Sequence, residues 1–117
     1  MKNSYTLYGD GSVNSTDIMV HSGKVCIRQN SSGGEHLTYV TRTSETALFV
    51  LLQSQSHRWD EFARNSAGNN GRRSGILMLL AEKFTNIKKD PYIDIQQFFK
   101  DNAIKYTSTY WPDSDRF

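Results

Sequence analysis

The densest group of side chains that could do chemistry lies at residues 57–61, which read HRWDE. His57 and Glu61 are four residues apart, so on a helix they share one face and could act as the base and acid of a small nuclease. Pairs at this spacing are frequent on solvated helix surfaces, and no nucleophile or metal ligand is fixed beside them. Nuclease or toxin chemistry therefore ranks third, behind two binding functions.

A glycine- and asparagine-rich stretch follows at residues 68–75, which read GNNGRRSG. Converging backbone N–H groups and the start of a helix attract anions, and Arg72 and Arg73 add positive charge at that point. The stretch lacks the Gly-Lys-Ser/Thr ending of a P-loop. It is either a phosphate-binding loop or a polar connector between helices, and we prefer the connector because such connectors are common on protein surfaces.

A second basic doublet, Lys88 and Lys89, lies on the other side of the helix that Arg72 and Arg73 precede. The four side chains could contact phosphates, which makes a nucleic-acid-binding regulator the alternative function. The formal charge of +2 is too small to predict a concentrated basic face from composition. The helix that follows also carries Asp94, whose carboxylate would be unfavourable beside phosphates.

Metal and cofactor sites are not predicted. The three histidines and Cys26, the one cysteine, lack the short paired spacing of a zinc site. A single cysteine cannot form an intramolecular disulfide, which suits a reducing compartment, and we expect a cytoplasmic protein. The first ten residues show no secretory signal, and no apolar run approaches the ~18 residues of a membrane span.

The order of the patterns predicts a single α+β domain over residues 1–117. Residues 1–43 alternate and are rich in β-formers, which predicts an antiparallel sheet of three to four strands at 5–8, 17–20, 24–29 and 35–41. Val25, Cys26 and Ile27 are consecutive apolar residues, so both faces of that strand should be partly covered. Residues 104–117 are a final strand or a tail.

Residues 44–103 are mainly helical, in three helices that pack on the sheet. Their predicted ranges are 44–65, 75–85 and 91–102, with Thr43 or Ser44, Ser74 and Asp90 as N-caps. The first helix is the longest. The second contains ILMLLAEKF at residues 76–84, which is apolar almost all round and should be the centre of the core.

The C-terminal segment places Tyr110 and Trp111 in a stretch rich in aromatic residues. If the segment is exposed, these side chains form a recognition patch, because aromatic residues dominate interface energetics. If it is a strand of the sheet, alternation should divide the two side chains between core and surface. The sequence leaves both interpretations open.

We expect a small non-enzymatic binding protein that acts on a macromolecular partner, most plausibly a protein. Its size and Asn/Ser-rich composition suit a phage or mobile-element inhibitor or regulator of a host complex. The sequence leaves the oligomeric state open. The candidate contact residues are the basic, amide and aromatic side chains of the features above: Arg58, Arg64, Asn69, Asn70, Arg72, Arg73, Lys88, Lys89, Tyr110 and Trp111.

Overall fold

A computed structural model describes residues 4–9, 14–56, 71–85 and 88–112. Within them, five strands form one antiparallel sheet in the order β1-β2-β3-β4-β5. The strands are β1 (Ser4–Tyr8), β2 (Ser15–His21), β3 (Lys24–Ser31), β4 (Gly34–Val40) and β5 (Tyr106–Pro112). The helices are α1 (Arg42–Gln55), α2 (Gly71–Phe84) and α3 (Tyr92–Asp101). The predicted α+β class, with an N-terminal sheet, C-terminal helices and a final strand, is confirmed.

The first four strands pair in chain order as a meander, and two-residue turns join β2 to β3 and β3 to β4. Between β2 and β3 the two turn residues, Ser22 and Gly23, have φ values of 55° and 70°. Positive φ at both central residues is what a type I′ turn requires, and its twist matches that of the flanking strands. Helices α1, α2 and α3 then follow in the chain, and β5 comes after them and pairs with β4 along its whole length.

The buried apolar residues form one cluster between the helices and one face of the sheet. Helix α2 is central to it, as predicted, because Ile76, Leu77 and Leu80 are completely buried. The expectation for β3 is also confirmed, since Val25, Cys26 and Ile27 are all buried although they alternate between faces. None of the helices in the described ranges combines the length and hydropathy that crossing a bilayer needs.

Helix α1 differs from its predicted range at both ends. It ends at Gln55, not at residue 65, because Ser56 has an extended backbone with φ −101° and ψ 133°. The rest of that predicted helix, including Trp59 and Phe62, lies outside the described residues. The N-cap position is Thr41, and the hydroxyl of Ser44 instead accepts a hydrogen bond from the Lys105 N–H at 3.0 Å.

Helix α2 begins at Gly71, four residues before its predicted start, so Arg72 and Arg73 lie in its first turn and not in a loop. Ser74 is therefore inside the helix and not its cap. Both arginines reach across to Glu45 of α1. This pairing supplies a physical reason for the helix to extend through two glycines that disfavour it.

A tight reversal after α3 directs the chain into β5. Ala103 has φ 56°, the Ile104 N–H donates to Phe99 O at 2.9 Å, and the Ala103 N–H donates to Lys100 O at 3.4 Å. This is the hydrogen-bond pattern of a Schellman motif, with alanine in the left-handed position that glycine usually takes. Ile104 is buried and anchors the start of the final strand to the core.

Of the two interpretations left open for Tyr110 and Trp111, the structure combines the strand of one with the exposed aromatic surface of the other. Both belong to β5, and alternation directs them to opposite faces of the sheet, yet Tyr110 is 48% exposed and Trp111 55% exposed. The reason is the position of β5 at the edge of the sheet, where little packs against either face. The segment is thus both a strand and an exposed aromatic surface.

Gly34 provides a test of this edge, since its φ is 150° and a Cβ there would lie 2.5 Å from Trp111 O. We expect Gly34→Ala to lower the free energy of unfolding by about 2 kcal/mol or more, through backbone strain and displacement of β5. Gly33 is the matched control, because its Cβ would meet only the Tyr110 hydroxyl, at 3.6 Å. Urea denaturation of both variants is the measurement. Equal stability of Gly34→Ala and Gly33→Ala would contradict the geometry.

Candidate functional site

A cleft of about 380 Å³ opens between the first half of α3 and one end of strands β3, β4 and β5. We call it the aromatic cleft. Its lining comes from all four elements and combines aromatic rings with neutral hydrogen-bonding groups: Gln29, His36, Tyr92, Ile93, Gln96, Ser108, Thr109 and Tyr110.

The carboxylate of Asp90 fixes where α3 begins above the sheet. Its Oδ1 accepts hydrogen bonds from the Thr16 hydroxyl at 2.6 Å and from the Tyr92 N–H at 2.9 Å. Its Oδ2 accepts from the Gln29 amide at 2.6 Å. The N-cap position is Pro91, one residue after the predicted Asp90, and the helix begins at Tyr92 and not at Pro91. The Asp90 carboxylate nevertheless accepts the first N–H of the helix and joins the helix to β2 and β3. Hydrogen bonds to a charged acceptor are worth roughly 1.5–3 kcal/mol each.

A second set of hydrogen bonds attaches α3 to β4. The Tyr92 and Thr38 hydroxyls are 2.5 Å apart, and the Gln96 amide donates to the Thr38 hydroxyl at 2.9 Å. Burial raises the pKa of Tyr92, opposed by the hydrogen bond to Thr38, so its hydroxyl stays protonated and neutral at physiological pH. Helix α3 thus presents Ile93 and Gln96 to the cleft in a fixed orientation.

Aromatic contacts form the sheet side of the cleft. The ring of His36 on β4 lies 4.4 Å from that of Tyr110 on β5 and 6.0 Å from that of Tyr92, between ring centroids. The Tyr110 hydroxyl donates to Gly33 O at 2.7 Å, which holds the exposed ring against the β3–β4 turn. The rings are therefore pre-positioned, although Tyr110 lies at the surface.

The side chains that line the cleft are of the kinds that could bind another molecule through hydrogen bonds and apolar contacts. None of the eight lining residues is an Asp, Glu, Lys or Arg. Hydroxyl, imidazole and amide groups can orient a guest through hydrogen bonds, and Ile93, which is 67% exposed, adds apolar surface at the opening. Aromatic enrichment with few charges is the composition of the centre of a protein–protein interface.

The predicted contact residues Arg72 and Arg73 both lie beside the carboxylate of Glu45. Arg73 Nε lies 2.8 Å from Glu45 Oε1, and Glu45 is completely buried. Arg72 approaches the same carboxylate at 3.9 Å and donates to the Thr46 hydroxyl at 3.2 Å. Because a buried carboxylate needs a partner, Arg73 has a structural role.

The remaining predicted residues are divided in space. Lys89 lies 3.7 Å from Asp94 at an exposed position, and Lys88 is exposed as well. Tyr110 lies in the aromatic cleft, whereas Trp111 is on the opposite face of β5. The other predicted residues fall outside the described part of the chain: Arg58, Arg64, Asn69, Asn70 and the pair His57 and Glu61.

The thiol of Cys26 has low reactivity. Burial raises the pKa of its thiol to about 11, against a smaller opposing effect of the hydrogen bond with Tyr39. The reactive thiolate is therefore scarce at neutral pH. Across the described residues, no group of three or more His, Cys, Asp and Glu side chains converges in a way that could hold a metal ion.

Of the residues that line the cleft, the sequence predicted Tyr110 as a contact residue and none of the others. Neither His36 nor Tyr92 belongs to a sequence motif that indicates a binding role. The Asp90-Pro91 signal identified the helix start, but nothing in the sequence indicated that Thr16 and Gln29 would converge on the same carboxylate. Asp90 is 74 residues from Thr16 and 61 residues from Gln29 along the chain, so no local sequence pattern could predict these contacts.

Comparison of the chain with protein-family models, with curated proteins and with solved structures found no match.

The two arginines of α2 make a matched pair for testing their structural role. We expect Arg73→Ala to lower the free energy of unfolding by about 2–3 kcal/mol, since it leaves the buried Glu45 carboxylate without its closest partner. This value is smaller than for a fully buried ion pair because Arg73 is itself partly exposed. Arg72→Ala should cost less than about 1 kcal/mol, because its contact is longer and more solvated. Urea denaturation measures both. A loss for Arg72→Ala as large as that for Arg73→Ala would contradict the assignment.

Proposed function

We propose that this chain is a non-enzymatic binding protein that docks on a partner protein through the aromatic cleft. The observation that carries the proposal is a cleft lining with no Asp, Glu, Lys or Arg, with the exposed Ile93 and Tyr110 at its opening. Isolated exposed apolar residues are common on protein surfaces. Here two of them border a concave, pre-positioned site, which is the usual setting of interface hot spots.

The chemistry of the lining indicates what the partner inserts. A side chain with an apolar or aromatic body and a neutral polar tip would use both the rings and the hydrogen-bonding groups. A charged side chain would lose its hydration without gaining an opposite charge from the lining, which is unfavourable. An uncharged loop or terminus of a partner protein is therefore the ligand class that fits.

The alternative, a nucleic-acid-binding regulator, depends on cations that are available to phosphates. Arg73 and Arg72 share the buried Glu45, and Lys89 faces Asp94. Phosphates would have to compete with these carboxylates. The geometry thus favours the protein partner, and the nucleic-acid function becomes an outcome of the test below.

A cytoplasmic inhibitor or regulator from a phage or mobile element, directed at a host complex, is the role we propose for such a protein. A small chain with a single cysteine and a surface cleft is suited to blocking a larger assembly in a reducing compartment. Such a protein acts by occupying a surface and needs no catalytic group.

Affinity capture from the native host tests the proposal when it is run with variants. We expect Ile93→Ala and Tyr110→Ala to reduce recovery of a protein partner by about tenfold each, because each removes roughly 1–2 kcal/mol of hot-spot contact. Quantitative mass spectrometry of nuclease-treated samples is the measurement.

The matched control is Val50→Ala on α1, since Val50 is 58% exposed and lies away from the cleft. Recovery with Val50→Ala should equal that with the unmodified chain. If the cleft variants retain full recovery, the cleft is not a protein-binding site. If nuclease removes the recovered material, the result contradicts the protein-binding proposal and supports the nucleic-acid-binding alternative.

A further inference from the structure

We infer that strand β5 is a self-complementary edge, at which a second copy of this chain pairs antiparallel to form a continuous ten-stranded sheet. This inference goes beyond the proposed function and does not depend on it. It follows from three independent features of the two sheet edges and of the sequence of β5.

The first feature is that, among the described residues, β5 has a strand partner on one side alone. It is the last strand in the sheet order and pairs with β4 through seven consecutive residues with no break in register. No described residue pairs with its other side. Such a strand presents a row of N–H and C=O groups, which is a template for another strand.

The second feature is that β5 lacks the protection that sheet edges usually have. Proteins protect edges with charged side chains, bulges or a covering helix. At the opposite edge, β1 has a bulge between Thr6 and Tyr8, and helix α2 packs against it. β5 has no charged residue and no bulge, and its residues from Thr107 to Trp111 are all exposed. Its one proline, Pro112, is the last residue of the strand and leaves the edge from Tyr106 to Trp111 without this form of protection.

The third feature is that the sequence of β5 is a palindrome. Residues 106–110 read Tyr-Thr-Ser-Thr-Tyr in both directions. In an antiparallel pair with the two-fold axis at Ser108, Tyr106 faces Tyr110 of the second copy and Thr107 faces its Thr109. Residues of the same type thus face each other across the whole segment, and the two-fold symmetry makes each of these contacts occur twice.

These pairs also agree with the two faces of the sheet. Tyr106 packs on Phe99 and Tyr110 on His36, so both tyrosines lie on the helix face, and Thr107 and Thr109 lie on the other. Aromatic and Thr–Thr cross-strand pairs stabilise antiparallel sheets. Beyond the palindrome, Trp111 would face Lys105 of the second copy, a geometry that permits a cation–π contact.

An edge-to-edge pair of strands buries less surface than a stable dimer does, so we expect reversible association with a dissociation constant in the micromolar range. Sedimentation equilibrium of the full chain from about 1 µM to about 500 µM should show the mass rising from 13.4 kDa toward twice that value. A chain that stays monomeric throughout overturns the inference.

Two charge variants locate the interface. Thr107→Glu/Thr109→Glu places like charges opposite one another in the proposed pair, and so does Thr107→Lys/Thr109→Lys. Each alone should associate at least about tenfold more weakly than the unmodified chain. An equimolar mixture should restore association as a heterodimer, because every Glu then faces a Lys.

The control is Thr43→Glu/Val50→Glu, which adds the same charge at exposed positions on α1. It should associate like the unmodified chain. Dimers of undiminished affinity from either β5 variant alone would place the interface elsewhere and overturn the inference. Partner capture at the aromatic cleft is a separate measurement, so the failure of one proposal leaves the other intact.

Discussion

The Asp90 carboxylate is the interaction on which the arrangement of the cleft depends. It accepts hydrogen bonds from β2, from β3 and from the first N–H of α3, and so fixes the start of that helix over the sheet. Tyr92, Ile93 and Gln96 follow within two turns of this anchor. Their place above β4 and β5 is therefore a consequence of one charged side chain with three donors, which is costly to displace once it is partly buried.

The other end of the helical layer is organised by a second carboxylate. Glu45 is completely buried at the start of α1, and Arg73 of α2 neutralises it. A basic doublet that the sequence presents as a site for phosphates thus has a structural role. The general reason is energetic, since a buried charge without a partner is far more costly than an exposed arginine without one.

The features of the fold that the sequence predicted are those whose signals lie among neighbouring residues. The period-two strands, the apolar helix at residues 76–84 and the Asp90-Pro91 start were recognised because their signals lie within a few residues. The ends of α1 and the start of α2 depend on contacts with distant elements, and these predictions were wrong. The cleft was missed for the same reason, because its lining spans residues 29 to 110 and converges only in the folded chain.

The central claim is that a protein partner binds at the aromatic cleft, and covalent capture at that position tests it most directly. A photoreactive amino acid would replace Ile93 in one chain and Val50 in another, and adducts formed with host extract would be identified by mass spectrometry. We expect a peptide adduct at position 93 and none of the same protein at position 50. A nucleotide adduct at position 93, or the same protein at both positions, would contradict it.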